Sequence, residues 1–192
     1  SQYLCSDANA DGTCDNDTTD NMSTGSWTIS TWFKHSTTIS GTDVLFARCY
    51  NATPAATAGC VAASMTSTGT MAVNVDFDAT WTIGATGTTV FHNSVQTFND
   101  NQWHFLEVTR AATTGNINTI IDGKPIGQTA GLNTTLDATQ IFSIGTDCST
   151  GANCTTGGNF WDGQVDDFEY NSTGSTGTTD NITPRLMGRL YN

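Results

Sequence analysis

The sequence predicts an all-β protein, a two-sheet antiparallel β-sandwich with at most a short helical turn near its C-terminus. Three observations predict it. Met71, Val73, Val75 and Phe77 alternate with Ala72, Asn74, Asp76 and Asp78, the period of two that marks a half-buried strand. Asp122-Gly123 separates two strand-like runs and supplies the positive φ angles of a type I′ hairpin turn. Thr- and Gly-rich turns divide the strand candidates at sandwich-like intervals, with no helical stripe between them.

The elements follow in order. Trp27 to His35 (WTISTWFKH) mixes aromatic, β-branched and polar residues and reads as a strand. Met71 to Phe77 and Trp103 to Arg110 follow as strands. Asn116 to Ile121 and Lys124 to Gln128 form the two arms of the hairpin. Gln140 to Gly145 and Phe160 to Tyr170 complete the set. Asn171 to Asn181 (NSTGSTGTTDN) is low in complexity and reads as a long surface loop. At the end Thr183 can cap a helical turn, Pro184 suits its first position, and Leu186 and Leu190 would share a face.

The 192 residues fit one domain, with an Asp-rich N-terminal loop over 1–24 and the sandwich over 25–192. Charged residues are 12% and hydrophobic residues 36%, which excludes a coiled coil, a helical bundle and a charge-rich disordered tail. Net charge is −12, and the six basic residues (Lys34, Arg48, Arg110, Lys124, Arg185 and Arg189) are scattered. Phosphate recognition needs clustered cations, so neither nucleic acid nor an anionic membrane surface is an expected partner. No apolar run is long enough for membrane insertion.

The cysteines fall into three local pairs, Cys5 with Cys14, Cys49 with Cys60, and Cys148 with Cys154. Each pair brackets a turn-rich stretch, as a loop-closing disulfide would, and no C-x-x-C suggests zinc or redox chemistry. Disulfides imply an oxidising compartment, hence an extracellular or cell-surface location. The chain opens at Ser1-Gln2-Tyr3-Leu4-Cys5, with no signal-peptide pattern to read. Asn16, Asn21, Asn51, Asn133, Asn153, Asn171 and Asn181 carry N-glycosylation sequons, which agree with export.

Four ordered segments carry a family resemblance: GSWTISTWFK from Gly25, NQWHFLEVTR from Asn101, IIDGKP from Ile120, and Ile144-Gly145 followed by FWDGQVDDFEY from Phe160. Together they resemble the laminin-G-like, concanavalin A-like jelly-roll superfamily, and the tail ITPRLMGRLYN is similar to the short helix that often follows. The resemblance implies a jelly roll whose relatives bind glycans or proteins, cleave polysaccharides, or act as spacers. The family's usual first strand, of the Ala-Leu-x-Phe-x-Gly kind, has no counterpart here.

Two acidic motifs are candidate metal sites. Asp7, Asn9, Asp11 and Asp15 cluster around Gly12 and resemble the start of EF-hand, dockerin and thrombospondin-type calcium loops. At the twelfth place, where an acid is expected, stands Thr18; the alternative is a solvated loop held by Cys5–Cys14. Asp162, Asp166 and Asp167 form the second cluster; the resemblance gives Asp166 a calcium-binding or loop-bonding role. Gln164-Val165-Asp166-Asp167-Phe168-Glu169 also resembles the Glu-x-Asp-x-x-Glu motif of laminarinase-like hydrolases, but Gln164 stands where the nucleophile belongs. His35, His92 and His104 show no metal-ligand spacing. Among the tryptophans, most of which belong in a core, Trp81 and Trp161 sit beside turns and are the candidates for a sugar-stacking rim.

The expected function is a non-enzymatic extracellular binding or adhesion module, calcium-stabilised and lectin-like, with a glycan or surface protein as partner. The alternative is a subunit of a surface filament, completed at an exposed sheet edge by strand exchange. A polysaccharide hydrolase is the third class.

Overall fold

The computed structural model describes residues 4–5, 25–39, 41–49, 60–76, 90–130, 141–150, 156–173 and 179–182. In chain order its strands are β1 (Leu4–Cys5), β2 (Trp27–His35), β3 (Asp43–Cys49), β4 (Cys60–Met65), β5 (Thr70–Asp76), β6 (Val90–Thr97) and β7 (His104–Arg110). There follow β8 (Ile117–Ile121), β9 (Lys124–Thr129), β10 (Ile141–Ile144), β11 (Asp147–Thr150), β12 (Thr156–Gly158), β13 (Gly163–Thr173) and β14 (Thr179–Ile182). Two six-stranded antiparallel sheets result, ordered β1-β10-β3-β4-β5-β6 and β14-β13-β2-β7-β8-β9, beside the small pair β11-β12. This is the predicted jelly-roll sandwich. The described residues contain no helix, and the helical turn expected over 183–190 lies outside them.

Alternation along β2 builds the core. Trp27, Ile29, Thr31, Phe33 and His35 are buried, whereas Thr28, Ser30, Trp32 and Lys34 face the other way. The partners repeat the pattern: His104, Leu106, Val108 and Arg110 in β7 point inward, as do Ile117, Thr119 and Ile121 in β8. From the first sheet, Phe46, Val61, Ala63, Met71, Val73 and Val75 meet them in one hydrophobic cluster. Each fully buried Leu, Ile, Val or Phe side chain contributes about 1.5–3 kcal/mol. The predicted hairpin is present, with Asp122 and Gly123 at φ of 52° and 73°.

Several strands escaped the sequence reading, β3, β4, β6, β11 and β12 among them. All six residues of β4 are buried, so its hydrophobicity does not alternate. Val44, Ala47, Cys60 and Ala62 form a second small cluster, apart from the main core. In β3 a register shift between Val44 and Phe46 breaks the period. The polar residues Ser94 and His92 are buried in β6, which masks its apolar face.

Two expectations are corrected. The N-terminal segment read as loop supplies β1, which hydrogen-bonds to β10 through Leu4↔Ile144 and Cys5↔Ser143. The stretch read as loop from Asn171 is partly strand, because Asn171, Ser172 and Thr173 pair with Asn181, Asp180 and Thr179. Thr and Ser serve a strand as readily as a loop, and composition alone does not separate the two.

The two sheets are tied together on the side where β6 and β9 meet. The His92 ring hydrogen-bonds through Nδ1 to Thr119 Oγ1 at 2.9 Å and through Nε2 to Thr129 Oγ1 at 2.9 Å. Gly127 permits this approach, since a Cβ there would collide with Cγ and Cδ2 of His92. Gly127→Ala is therefore expected to destabilise the fold by about 1–3 kcal/mol in denaturant unfolding. Unchanged stability would show that the His92 tie tolerates displacement.

Cys60 is buried and disulfide-bonded. The ladder pairs Arg48 with Val61, which brings the ends of β3 and β4, Cys49 and Cys60, side by side. Non-reducing peptide mapping is expected to return Cys49–Cys60, and its removal to cost about 2–3 kcal/mol. A link from Cys60 to any other cysteine would refute the local pairing.

Candidate functional site

The outward face of the second sheet carries the candidate site. On β2 the outward positions run Thr28, Ser30, Trp32 and Lys34. Register places Asp166 and Phe105 on either side of Trp32, and Glu169 and Glu107 on either side of Ser30. Trp32 is 40% exposed. Its ring lies 5.2 Å from that of Phe105, tilted by 52°. Trp103, 42% exposed, stands just before β7 at the same end of the face. Toward the other end Thr28, Thr109 and Asn118 offer hydroxyls and an amide; Asn118 Nδ2 donates to Thr109 Oγ1 at 3.4 Å. An aromatic platform flanked by polar side chains can stack against the C–H face of a sugar ring and hydrogen-bond its hydroxyls.

A bulge sets the carboxylates on this face. Between Asp166 and Glu169 the register with β2 shifts, and Asp167 takes φ of 48°. Asp tolerates this left-handed conformation better than most residues. The Asp167 N–H donates to Asp166 Oδ1 at 3.0 Å, and Thr31 Oγ1 donates to the Asp166 carbonyl at 3.0 Å. The bulge returns Glu169 to the side of Asp166, with Tyr170 buried behind it.

The aromatic end is fixed by His104. Its Nδ1 donates to Asp122 Oδ2 at 2.7 Å and its Nε2 to Asp100 Oδ1 at 3.1 Å. Asp122 Oδ1 accepts the Phe105 N–H at 2.9 Å, so the hairpin turn holds the start of β7. Burial alone would lower the His104 pKa, but the bonds to Asp122 and Asp100 outweigh it and raise the pKa above the usual value. At Asp100 burial works upward and the His104 bond downward, and the net direction is down. His92 is lowered by burial.

The sequence-predicted residues fare differently. Trp161 is 5% exposed and belongs to the core. Its ring meets His35 at 4.6 Å and 86°, and Phe33 at 5.9 Å and 84°, so it is not a sugar-stacking rim residue. Position beside a turn misled, because the segment from Asn159 to Asp162 is pinned inward. The Val44 N–H donates to the Asn159 carbonyl at 2.8 Å, and the Trp161 N–H to the Gly145 carbonyl at 3.0 Å. Trp81, Asp7, Asn9, Asp11 and Asp15 lie outside the described residues.

Asp166 does not assemble a metal cluster with Asp162 and Asp167. Asp162 accepts Ser36 Oγ at 2.6 Å at the end of β2, and Asp166 caps the bulge. Among the described residues no group of three or more His, Cys, Asp or Glu converges as a metal site. Asn171 Nδ2, the atom a glycan would occupy, donates to Glu169 Oε1 at 2.6 Å. The side chain of Asn181 and the other sequon asparagines lie outside the described residues.

Sequence reasoning missed Trp32, although the signal was present. In WTISTWFKH the apolar set Trp27, Ile29 and Phe33 occupies odd positions, and Trp32 keeps the even phase of Thr28, Ser30 and Lys34.

A family model described as the concanavalin A-like lectin/glucanases superfamily matches residues 7–173. The chain belongs to this superfamily. Among solved structures it is similar to mouse laminin α1 domains LG4-5, with a TM-score of 0.55 and 14% identity over 95% of this chain and 40% of that one. It is also similar to the SAP-like pentraxin of Limulus polyphemus, with a TM-score of 0.52 and 14% identity over 78% of this chain and 67% of that one. The CBM40 of the Ruminococcus gnavus IT-sialidase gives a TM-score of 0.51 and 11% identity over 73% and 74% of the two chains. At such identities the likeness is one of fold. No curated protein matches the chain in sequence.

The pKa directions give a pH test. A raised folded-state pKa means that the stabilisation from charged His104 is complete below the unfolded value of about 6.5. It is lost as pH rises through the folded value. His92 has the opposite sign, since its contribution is present above the unfolded value and is lost as pH falls. The melting-temperature gap between the natural protein and His104→Gln is expected to be largest near about pH 5–6 and to shrink toward about pH 8–9. A gap that stays constant across this range would remove the charged bridge.

Proposed function

We propose that the domain is a non-enzymatic, lectin-like binding module of the cell exterior that holds a carbohydrate on the outward face of β13, β2 and β7. The observation that carries this reading is the exposed Trp32 ring against Phe105, bordered by hydrogen-bonding side chains. Trp32 and Phe105 together leave an aromatic surface partly in water, and binding a ligand there would repay its exposure. The fold is compatible with the reading, since the CBM40 above is bound to α2,3 sialyllactose in a structure with a TM-score of 0.50.

Hydrolysis is a poorer fit. Gln164 and Asp166 occupy outward positions on β13, and Gln164 cannot supply the carboxylate that a retaining mechanism uses as nucleophile. A cleft of about 260 Å³ between β6 and the β8–β9 hairpin has an apolar floor of Phe98, Ile121 and Ile126. It is smaller than the usual ligand pocket of about 300–1,000 Å³, and the open face is the better candidate.

Calcium enters this reading through the N-terminal motif. Asp7, Asn9, Asp11 and Asp15 offer the hard oxygen donors that Ca2+ takes, at the roughly millimolar affinity of extracellular modules. A ligand held only by the folded chain raises its stability. The melting temperature is expected to be higher in millimolar calcium than in chelator, and Asp11→Ala to abolish the difference. Identical curves in calcium and chelator would end the calcium role.

The site itself is tested by Trp32→Ala on a glycan array. Loss of at least about tenfold in affinity, with thermal unfolding little changed, is the expected result, since one lost stacking contact of about 1.4 kcal/mol is tenfold in binding. Undiminished binding by Trp32→Ala would place the carbohydrate elsewhere.

A further inference from the structure

Charge on the same face selects the class of sugar. The aromatic pair is bordered by three carboxylates, Asp166 beside Trp32 in register, and Glu169 and Glu107 beside Ser30 one row along. Successive outward positions on a strand are about 7 Å apart, and neighbouring strands about 4.8 Å. A sugar stacked on Trp32 and Phe105 therefore lies within about one Debye length of all three acids at physiological salt. Lys34 is the cation that shares these rows.

Among the described residues, arginine forks, the usual grip on a carboxylate or sulfate, are missing from these rows. Arg48 is 0% exposed and Arg110 is 2% exposed, and Arg110 Nη1 donates to the Gly25 carbonyl at 3.0 Å. These two are the arginines among the described residues, and both are inside the sandwich, out of reach of a ligand on the outward face; Arg185 and Arg189 lie outside the described residues. The acids, in contrast, suit neutral sugars. A carboxylate only accepts hydrogen bonds, and sugar hydroxyls donate them. No hydrogen bond among the described residues engages the Glu107 side chain, while Asp166 and Glu169 each have one oxygen engaged locally.

We infer that the face binds neutral glycans and rejects acidic ones, those carrying sialic acid, uronic acid or sulfate. The inference rests on the carbohydrate-binding reading above and adds the charge class. It separates this chain from its fold neighbour bound to sialyllactose, which accepts an anionic sugar.

The test is an array on which each neutral glycan is printed beside its sialylated and sulfated counterparts. It is read with the natural protein and with the double variant Glu107→Gln, Glu169→Gln. The expected result is that acidic counterparts bind at least about fivefold more weakly at about 10 mM salt. The discrimination should fade at about 1 M salt, where the Debye length is about 3 Å. In the double variant the ratio of neutral to acidic binding is expected to fall by at least about threefold, as two of the repelling charges are gone. Equal or tighter binding of acidic glycans would overturn the inference and leave the binding reading standing. So would a discrimination that the double variant leaves intact, for the charge at this face would not be its cause. Binding to no glycan by folded protein would overturn the binding reading, and the charge class with it.

Discussion

The phase of β2 is the constraint on which the rest depends. This strand lies between β13 and β7 in its sheet, and its side chains alternate between the core and the outward face. A slip of one residue would send Trp27, Ile29 and Phe33 into water and drive Lys34 into the core. Hydrophobicity favours one phase, and buried polar groups on the inward side fix it more tightly. Thr31 Oγ1 is committed to the Asp166 carbonyl, and His35 Nε2 hydrogen-bonds with Asp43 Oδ2 at 2.8 Å, joining β2 to β3 of the opposite sheet. His35 Nδ1 lies 2.8 Å from the Ser36 carbonyl, so both ring nitrogens have hydrogen-bond partners. Misregistered, these groups would be buried without partners, at about 1–3 kcal/mol each.

The same phase makes the outward face a surface of defined composition. Once Phe33 is inside, Trp32 must be outside, and Asp166, Glu107 and Phe105 follow by register. The exception is Glu169, three residues beyond Asp166, which strict alternation would turn inward. The bulge inserts the residue that restores it. Asp167 in a left-handed conformation and the bonds to Asp166 hold that bulge, so the acidic run resembling a hydrolase motif has a structural duty. An insertion that re-aims a side chain is a common use of β-bulges beside binding sites.

Legibility in the sequence tracks how local each determinant is. The hairpin at Asp122-Gly123 was legible because its turn geometry demands those two residues. The strands β2 and β7 were legible because one face of each is partly solvated; β5 was legible because Asn74 and Asp76 break its apolar run, although Met71 to Val75 are all buried rather than half-buried as expected. β4 was not, since both its faces are buried and the period vanishes. Trp161 failed for a non-local reason: a turn-like neighbourhood gives exposure only when nothing crosses over it, and here Gly145 and Val44 bind the segment. The candidate site was half legible. Period counting alone would have exposed Trp32, but its juxtaposition with Phe105, Glu107 and Asp166 is a fact of strand order between distant segments.

Burial also sharpens the charge that a ligand meets. The chain carries −12 overall with six basic residues, two of which, Arg48 and Arg110, are inside the sandwich. Arg110 does not contribute an exposed fork; burial lowers its pKa, and it is used to hold the Gly25 carbonyl at the entry to β2. The described acids beside the platform, in contrast, are not buried, and the one described carboxylate inside, Asp43, is paired with His35. Among the described residues, burial of Arg48 and Arg110 leaves Lys34 as the cation in the rows of the platform, beside Asp166, Glu107 and Glu169. The preference for neutral glycans inferred above follows in part from this placement of Arg48 and Arg110 in the core, which leaves the platform without an arginine among the described residues.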